Sequence, residues 1–356
     1  MKSWSAATPV LPSGPRLLTA VFLWAGIFIP SRHISTLPLL LALAAVLASP
    51  ARSQDSAGSD RRGHDYTFNV NVNMVVLHAT AQNHKGDLVS GLGKNDFQVL
   101  EDGVVQQIKS FTHEDIPVTV GLVVDNSGSM RPKRADVIAA ALTFARSSNP
   151  QDQMFVINFN EKVSFGLPQN MPFTGQVDQL EAALSKINPD GETALYDAVA
   201  AALDHLKEGS RDKKVLIVIS DGGDNASKHN LSQTMLMAGQ SDALIYTIGI
   251  FDEQDGDRNP HVLRELAKNT GGESFLPESL KEVAPICEQI AHDIRNQYTI
   301  AYVPTNRKRD GSYRVIQVNA SAAYHGHLSV RTRTGYYAPS ALSSPSANVI
   351  DHRSQN

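Results

Sequence analysis

The chain has 356 residues, 42% of them hydrophobic, and its 32 basic and 36 acidic side chains leave a formal net charge of -4. That length exceeds one ordinary domain and brings enough apolar content for a sizeable core. The near balance of charge excludes the basic character expected of a nucleic-acid-binding chain. A single cysteine, Cys287, excludes an internal disulfide and any cysteine-built zinc site.

The first 53 residues differ from all that follows. "LLTAVFLWAGIFIP" (17–30) is apolar, Arg32 and His33 interrupt it, and "LPLLLALAAVLASPARSQ" (37–54) follows. The second run has the layout of a signal peptide: a basic flank, an apolar stretch of about a dozen residues, then Ser49, Ala51 and Ser53 as small residues near a cleavage point. Neither run reaches the roughly 20 residues of a spanning helix. Residues 1–53 are therefore expected to be an export signal, with an uncleaved N-terminal membrane anchor as the alternative. The protein is accordingly expected to be exported: secreted, periplasmic or associated with the cell envelope. Residues 54–64 read as a polar linker and 339–356 as a disordered tail.

Residues 65–116 carry a β pattern. "TFNVNVNMVVLHATAQ" alternates through Phe68, Val70 and Val72, and turn signals stand at Lys85-Gly86 and Asp102-Gly103. From 117 to 290 the pattern changes. The apolar runs "VTVGLVV", "MFVINF", "KVLIVIS" and "ALIYTIGI" alternate with helical periodicity over 133–146, 177–187, 194–207, 232–241, 261–269 and 280–295. Strands apolar on both faces and separated by helices predict a doubly wound α/β domain with a mostly parallel sheet. After that, 291–338 returns to β: "QYTIAYVP", "YRVIQVNAS" and "LSVRTRTGYY". Each β segment is small for an independent core. The two are expected to join as one sandwich-like module with the α/β domain inserted between them.

Ligands of open α/β sheets bind at the carboxyl ends of the strands. "VTVGLVVD" ends at Asp125 and continues to Ser127 and Ser129; "KVLIVISDGGDN" reaches Asp221; "NPDGETALYDA" places Thr193 just before a helix. Three hydroxyls and two carboxylates make an oxygen-only set. Such hard donors suit Mg²⁺, Mn²⁺ or Ca²⁺ rather than zinc or copper. Because hydroxyls are neutral, a bound ion would keep positive charge and attract an external anion, a carboxylate of a partner protein above all.

"DNSGSM", Thr193 in "GETALYDA" and Asp221 in "VISDGGDN" resemble the metal-ion-dependent adhesion site of von Willebrand factor type A domains. The family's Asp-x-Ser-x-Ser, loop Thr and strand-end Asp fall on Asp125, Ser127, Ser129, Thr193 and Asp221. The resemblance implies that the serines and threonine coordinate through their hydroxyls and the aspartates largely through water. It spans roughly residues 117–290. The flanks "DFQVLEDG" and "YTIAYVP…DGSYRVIQV…RTGYY" resemble those of a bacterial family of exported proteins with such domains. What it implies is a divalent-metal-dependent binding or adhesion module, not an enzyme, touching a membrane only through an N-terminal anchor.

Blander readings stand beside this one. Ser127, Ser129 and Thr193 are good helix caps, and Asp224 reads as a loop residue. A hydrolase using the ion, or Ser127 as nucleophile, needs a nearby base, and the histidines nearest in sequence are His205 and His229. A scaffold that holds no metal is a third reading. The acidic run 251–260 lacks EF-hand spacing, His325 and His327 alone are a poor metal pair, and "RKRDG" (307–311) reads as a charged turn.

Overall fold

The computed structural model describes residues 74–251, 258–322 and 326–340. The chain divides into Met1–Thr67 and Phe68–Asn356, and every described residue lies in the second unit. The export signal, the linker, the start of the β pattern up to residue 73, the acidic run's residues 252–257, His325 and the tail beyond 340 lie outside the described residues. Among those described, no helix is long and apolar enough to cross a membrane.

The first β-prone stretch folds as β1 (Val75–Gln82), β2 (Phe97–Glu101), β3 (Val104–Gln106) and β4 (Ile108–Thr112). Asp102 and Gly103 form the two-residue connection between β2 and β3, with Glu101 paired to Val104 across it. Both turn residues have positive φ, 48° and 79°. A tight hairpin turn that matches the strand twist needs this backbone, which Asp and Gly tolerate.

The alternating stretch then builds β5 (Val118–Asp125), α1 (Arg134–Ser147), β6 (Gln153–Phe159), β7 (Val163–Phe165), α2 (Val177–Leu184), α3 (Leu195–Leu206), β8 (Lys213–Ser220), α4 (Leu231–Gln240), β9 (Leu244–Gly249), α5 (Pro260–Thr270), β10 (Ser274–Phe275) and α6 (Val283–Arg295). The strand order is β10-β9-β8-β5-β6-β7. Every pairing is parallel except that of β7 with β6. Strand β5 sits at the centre and is buried at all eight positions, which explains its unbroken apolar run. Helix α1 packs on α6, α3 on α4, and α4 on α5. Helix α6 begins later than its periodicity predicts, because a 3₁₀ turn occupies Leu280–Glu282. Its Pro285 falls in the first turn, where a missing N–H breaks no intrahelical bond.

The last strands are β11 (Tyr298–Tyr302), β12 (Tyr313–Ala322), β13 (Gly326–Arg331) and β14 (Gly335–Tyr337). They interleave with the first four in one antiparallel sheet of order β3-β2-β12-β13-β1-β11-β4, with β14 beside β12. Residues of β12 alternate exposed and buried, the signature of a sheet with one solvated face. The inward side chains, among them Leu77, Phe97, Val99, Tyr298, Ile300 and Val318, form a second core. Phe97 meets Tyr298 with ring centroids 5.0 Å apart, so the β2 and β11 regions of the sheet face one another across it.

Candidate metal centre

Parallel register places Val124 opposite Ile219 on β8 and Asp125 opposite Phe159 on β6. Asp125 thus reaches the carboxyl edge of the sheet beside Ser220, and it is 2% exposed. Its Oδ2 accepts from Ser220 Oγ at 2.6 Å, and its Oδ1 from the Ser127 backbone N–H at 2.8 Å. Asn126 points the other way, donating to the Val124 carbonyl and to Asn158 Oδ1. Its own N–H bonds the Phe159 carbonyl at 2.6 Å. This pinning to β6 keeps Ser127 and Ser129 on the same side as Asp125.

The hydroxyl chain continues from there. Ser127 Oγ lies 3.1 Å from Ser129 Oγ, and Ser129 Oγ donates to Asp221 Oδ2 at 2.6 Å. The Gly223 N–H reaches Asp221 Oδ1 at 3.2 Å. Four of the five residues expected from sequence are therefore joined by direct hydrogen bonds, although the two carboxylates lie far apart in the chain. Gly222 makes the turn after Asp221 feasible: its φ is +78°, and a Cβ there would sit 2.4 Å from the Asn259 carbonyl oxygen. Only glycine fits such a position without strain.

Thr193 enters through backbone. Gly128 N–H bonds the Gly191 carbonyl at 3.1 Å, Asp190 N–H the Asn126 carbonyl at 2.9 Å, and the Thr193 carbonyl accepts from Asn225 and Ala226. Asn225 Oδ1 accepts from the Thr193 N–H at 2.8 Å. The loop of Thr193 is thereby stitched to both other segments, and Thr193 is 7% exposed.

Neither capping alternative is what these residues do. Ser127 and Ala194 occupy the N-cap positions of the two helical starts, and neither makes a side-chain cap bond. Asp224 behaves as a loop residue, its Oδ2 accepting from the Tyr196 N–H and from Ser227 Oγ. His229 pairs with Asp197 at 2.6 Å, and His205 with the Pro172 carbonyl.

Two carboxylates of one sign share this buried edge. Burial, and behind it the charge of Asp221, push the Asp125 carboxyl up to about 6 against the pull of hydrogen bonds from Ser220 and Ser127. A cation answers that electrostatic need, and the donors are the hard oxygens that Mg²⁺, Mn²⁺ and Ca²⁺ prefer. The residues fit such an ion. Among the described residues there is no group of three or more His, Cys, Asp or Glu placed to hold one; the cluster at this edge combines two carboxylates with serine hydroxyls instead.

Sequence reading missed Ser220, the one polar residue at the end of "KVLIVIS", and Asn225, whose side chain holds the Thr193 N–H. The signal for Ser220 was present, a lone polar residue directly beside a strand-end aspartate; Asn225 stands among other polar loop residues and carries no such mark.

Fold and site define an α/β domain whose strand ends present a mixed hydroxyl and carboxylate cluster. Residues 120–223, which contain all five candidate ligands, match the von Willebrand factor type A domain family. The chain carries a von Willebrand factor type A domain over this stretch. No curated protein matches the chain. Among solved structures, a von Willebrand factor type A protein from Catenulispora acidiphila is 14% identical, covers 75% of this chain and 74% of its own, and has a TM-score of 0.46. An aerotolerance-related membrane protein from Bacteroides fragilis is 16% identical over 50% of this chain and 98% of its own, with a TM-score of 0.41. Proximal thread matrix protein 1 of the mussel byssus, with zinc in its metal-ion-dependent adhesion site, is 14% identical over 51% of this chain and 48% of its own, at a TM-score of 0.42.

Proposed function

We propose that this domain is a metal-dependent protein-binding module of an exported protein. Asp125, Ser127, Ser129, Thr193 and Asp221 would hold a divalent ion, Mg²⁺ or else Mn²⁺ or Ca²⁺, and a carboxylate of a protein partner would complete its coordination. The observation that carries this reading is the continuous contact from Ser127 through Ser129 to Asp221, with Asp125 hydrogen-bonded to the same loop. Bound there, the ion supplies fixed positive charge and a coordination position for an outside anion. The chain's own part is orientation: Ser220 and the Ser127 N–H hold Asp125, while Ser129 and the Gly223 N–H hold Asp221.

Ser127 Oγ has a serine hydroxyl as its partner rather than an imidazole, which favours binding over acyl transfer through Ser127. In the same reading, residues 117–290 form the binding domain. Residues 65–116 and 291–338 mount it, and 1–53 direct export.

Calorimetric titration with MgCl₂, MnCl₂, CaCl₂ and ZnCl₂ tests the metal. Saturable heat with one of the first three, lost in Asp125→Ala while the far-ultraviolet circular dichroism is kept, supports the reading; no heat from any salt with the wild-type chain overturns it. Selection of peptides from a random displayed library tests the partner. Binders enriched in Asp or Glu and released by chelator are expected, and binders indifferent to chelator would refute the role of the ion.

A further inference from the structure

Helix α4 carries the chain from the carboxyl ends of the strands back to the start of β9, so its last residues lie at the sheet edge opposite the metal centre. There a cavity of about 720 Å³ opens between α4 and the antiparallel sheet, within the size range of small-molecule sites. Val76, 41% exposed, and Tyr337 line one side. Arg307, Lys308 and Arg309 line the rim, and Arg314 and Arg333 also border it. Asp242 is the single carboxylate of this lining, and it already pairs with Arg333 at 2.7 Å.

A run of exposed cations in a turn is ordinarily a solvated surface. Two observations set this one apart. Arg307, Lys308 and Arg309 make no ion pair or side-chain hydrogen bond among the described residues, so three adjacent positive charges face one neighbouring carboxylate, Asp310, which bonds Ser312 instead. Their backbone, moreover, is clamped from inside. Arg314, 2% exposed and paired with Glu101, donates Nη1 to the Asn306 carbonyl and Nη2 to the Lys308 carbonyl, the latter at 2.5 Å. Asn306 Oδ1 accepts from the Lys308 N–H at 3.2 Å, and Asp310 Oδ1 from Ser312 Oγ at 2.6 Å. A buried guanidinium that spends two donors on one exposed loop holds it ready for a ligand, which lowers the ordering cost of binding.

We propose that this cavity binds a small soluble organic anion with clustered phosphate groups. Each phosphate brings up to about two charges and three acceptor oxygens, so a compact ligand could answer three neighbouring cations at once. Arginine forks match phosphate in two-point contacts. The site is separate from the metal centre and does not depend on it.

The test is calorimetric titration of the full chain with inositol hexakisphosphate and with tripolyphosphate, in metal-free buffer because phosphates chelate cations. Saturable binding is expected, weakened about tenfold or more in Arg307→Gln/Lys308→Gln/Arg309→Gln through lost charge-assisted contacts. Val76→Glu, which puts a negative charge in the cavity, should weaken it as well. Lys85→Gln/Lys94→Gln/Lys281→Gln removes the same charge from exposed positions elsewhere and should leave affinity within about twofold. Absence of saturable binding to both probes overturns the proposal, and so does equal loss in the two triple variants. Asp125→Ala should bind both probes like wild type, and loss of binding in that variant would refute the independence of the two sites.

Discussion

Replacing Asp293 tests how the α/β domain is joined to the antiparallel sheet. This carboxylate lies near the end of α6, is 3% exposed, and accepts from Thr80 Oγ1 at 2.9 Å, Tyr246 OH at 2.5 Å and Arg331 Nη2 at 2.6 Å. The donors come from β1, β9 and β13, so one side chain ties α6 to both sheets. In Asp293→Ala, Tyr246 and Thr80, 0% and 1% exposed, lose an acceptor inside the protein. Arg331 keeps Glu273 at 3.1 Å and the Gly271 carbonyl at 3.0 Å. Removing one partner of a buried pair costs about 3–5 kcal/mol, and each orphaned buried donor about 1–3. These effects overlap, and Glu273 offsets part of the loss, so about 4 kcal/mol is expected. Asp293→Asn keeps the shape and one acceptor oxygen and should cost about half as much. Urea unfolding at neutral pH gives both values. In Asp293→Ala/Arg331→Met the combined cost should fall short of the sum of the single costs, because no charge is then left unpaired. A loss below about 1 kcal/mol for Asp293→Ala, or strict additivity in the cycle, would refute the argument.

Two further outcomes follow from single residues. Gly222→Ala forces a left-handed alanine against the Asn259 carbonyl; it should cost about 2 kcal/mol or more and remove any Mg²⁺-induced rise in melting temperature, and a wild-type thermal shift would contradict the role given to this turn. His78 is held down to about 3 by burial first and then by the charges of Lys213 and Arg333. In the unfolded chain its imidazole takes a proton near pH 6.5. Its contribution is therefore full above pH 6.5 and lost as pH falls from there towards 3. Wild type should lose more stability between pH 7 and pH 4.5 than His78→Gln, and parallel denaturation midpoints for the two chains would dismiss the effect.

What the sequence made legible is what local chemistry dictates. "VTVGLVV" is apolar on both faces because β5 has a neighbour strand on each side and helices above and below, and that pattern survives in one dimension. The Asp102-Gly103 turn is legible for the same reason: two residues carry the entire backbone requirement. The Asp125, Ser127, Ser129 spacing works because Asn126 is turned inward by contacts to β6, leaving alternate side chains at one edge.

The illegible parts share a different physics. Asp293 meets Thr80 across 213 positions, and Glu101 meets Arg314 across the same separation. No local period announces such pairs, because each half looks like an ordinary polar residue until its partner is known. Glu101 shows the consequence. In sequence it reads as the polar end of a strand before a turn, yet it is 2% exposed and takes hydrogen bonds from Tyr302 and Tyr336 as well as from Arg314. A buried carboxylate with three donors must have its partners in place before its desolvation is offset. The first and last β segments therefore gain little from folding apart: Glu101 comes from the first, Tyr302, Arg314 and Tyr336 from the last. The interleaved strand order is the hydrogen-bonded form of that same dependence, and it explains how a domain inserted between the two segments leaves them in one sheet.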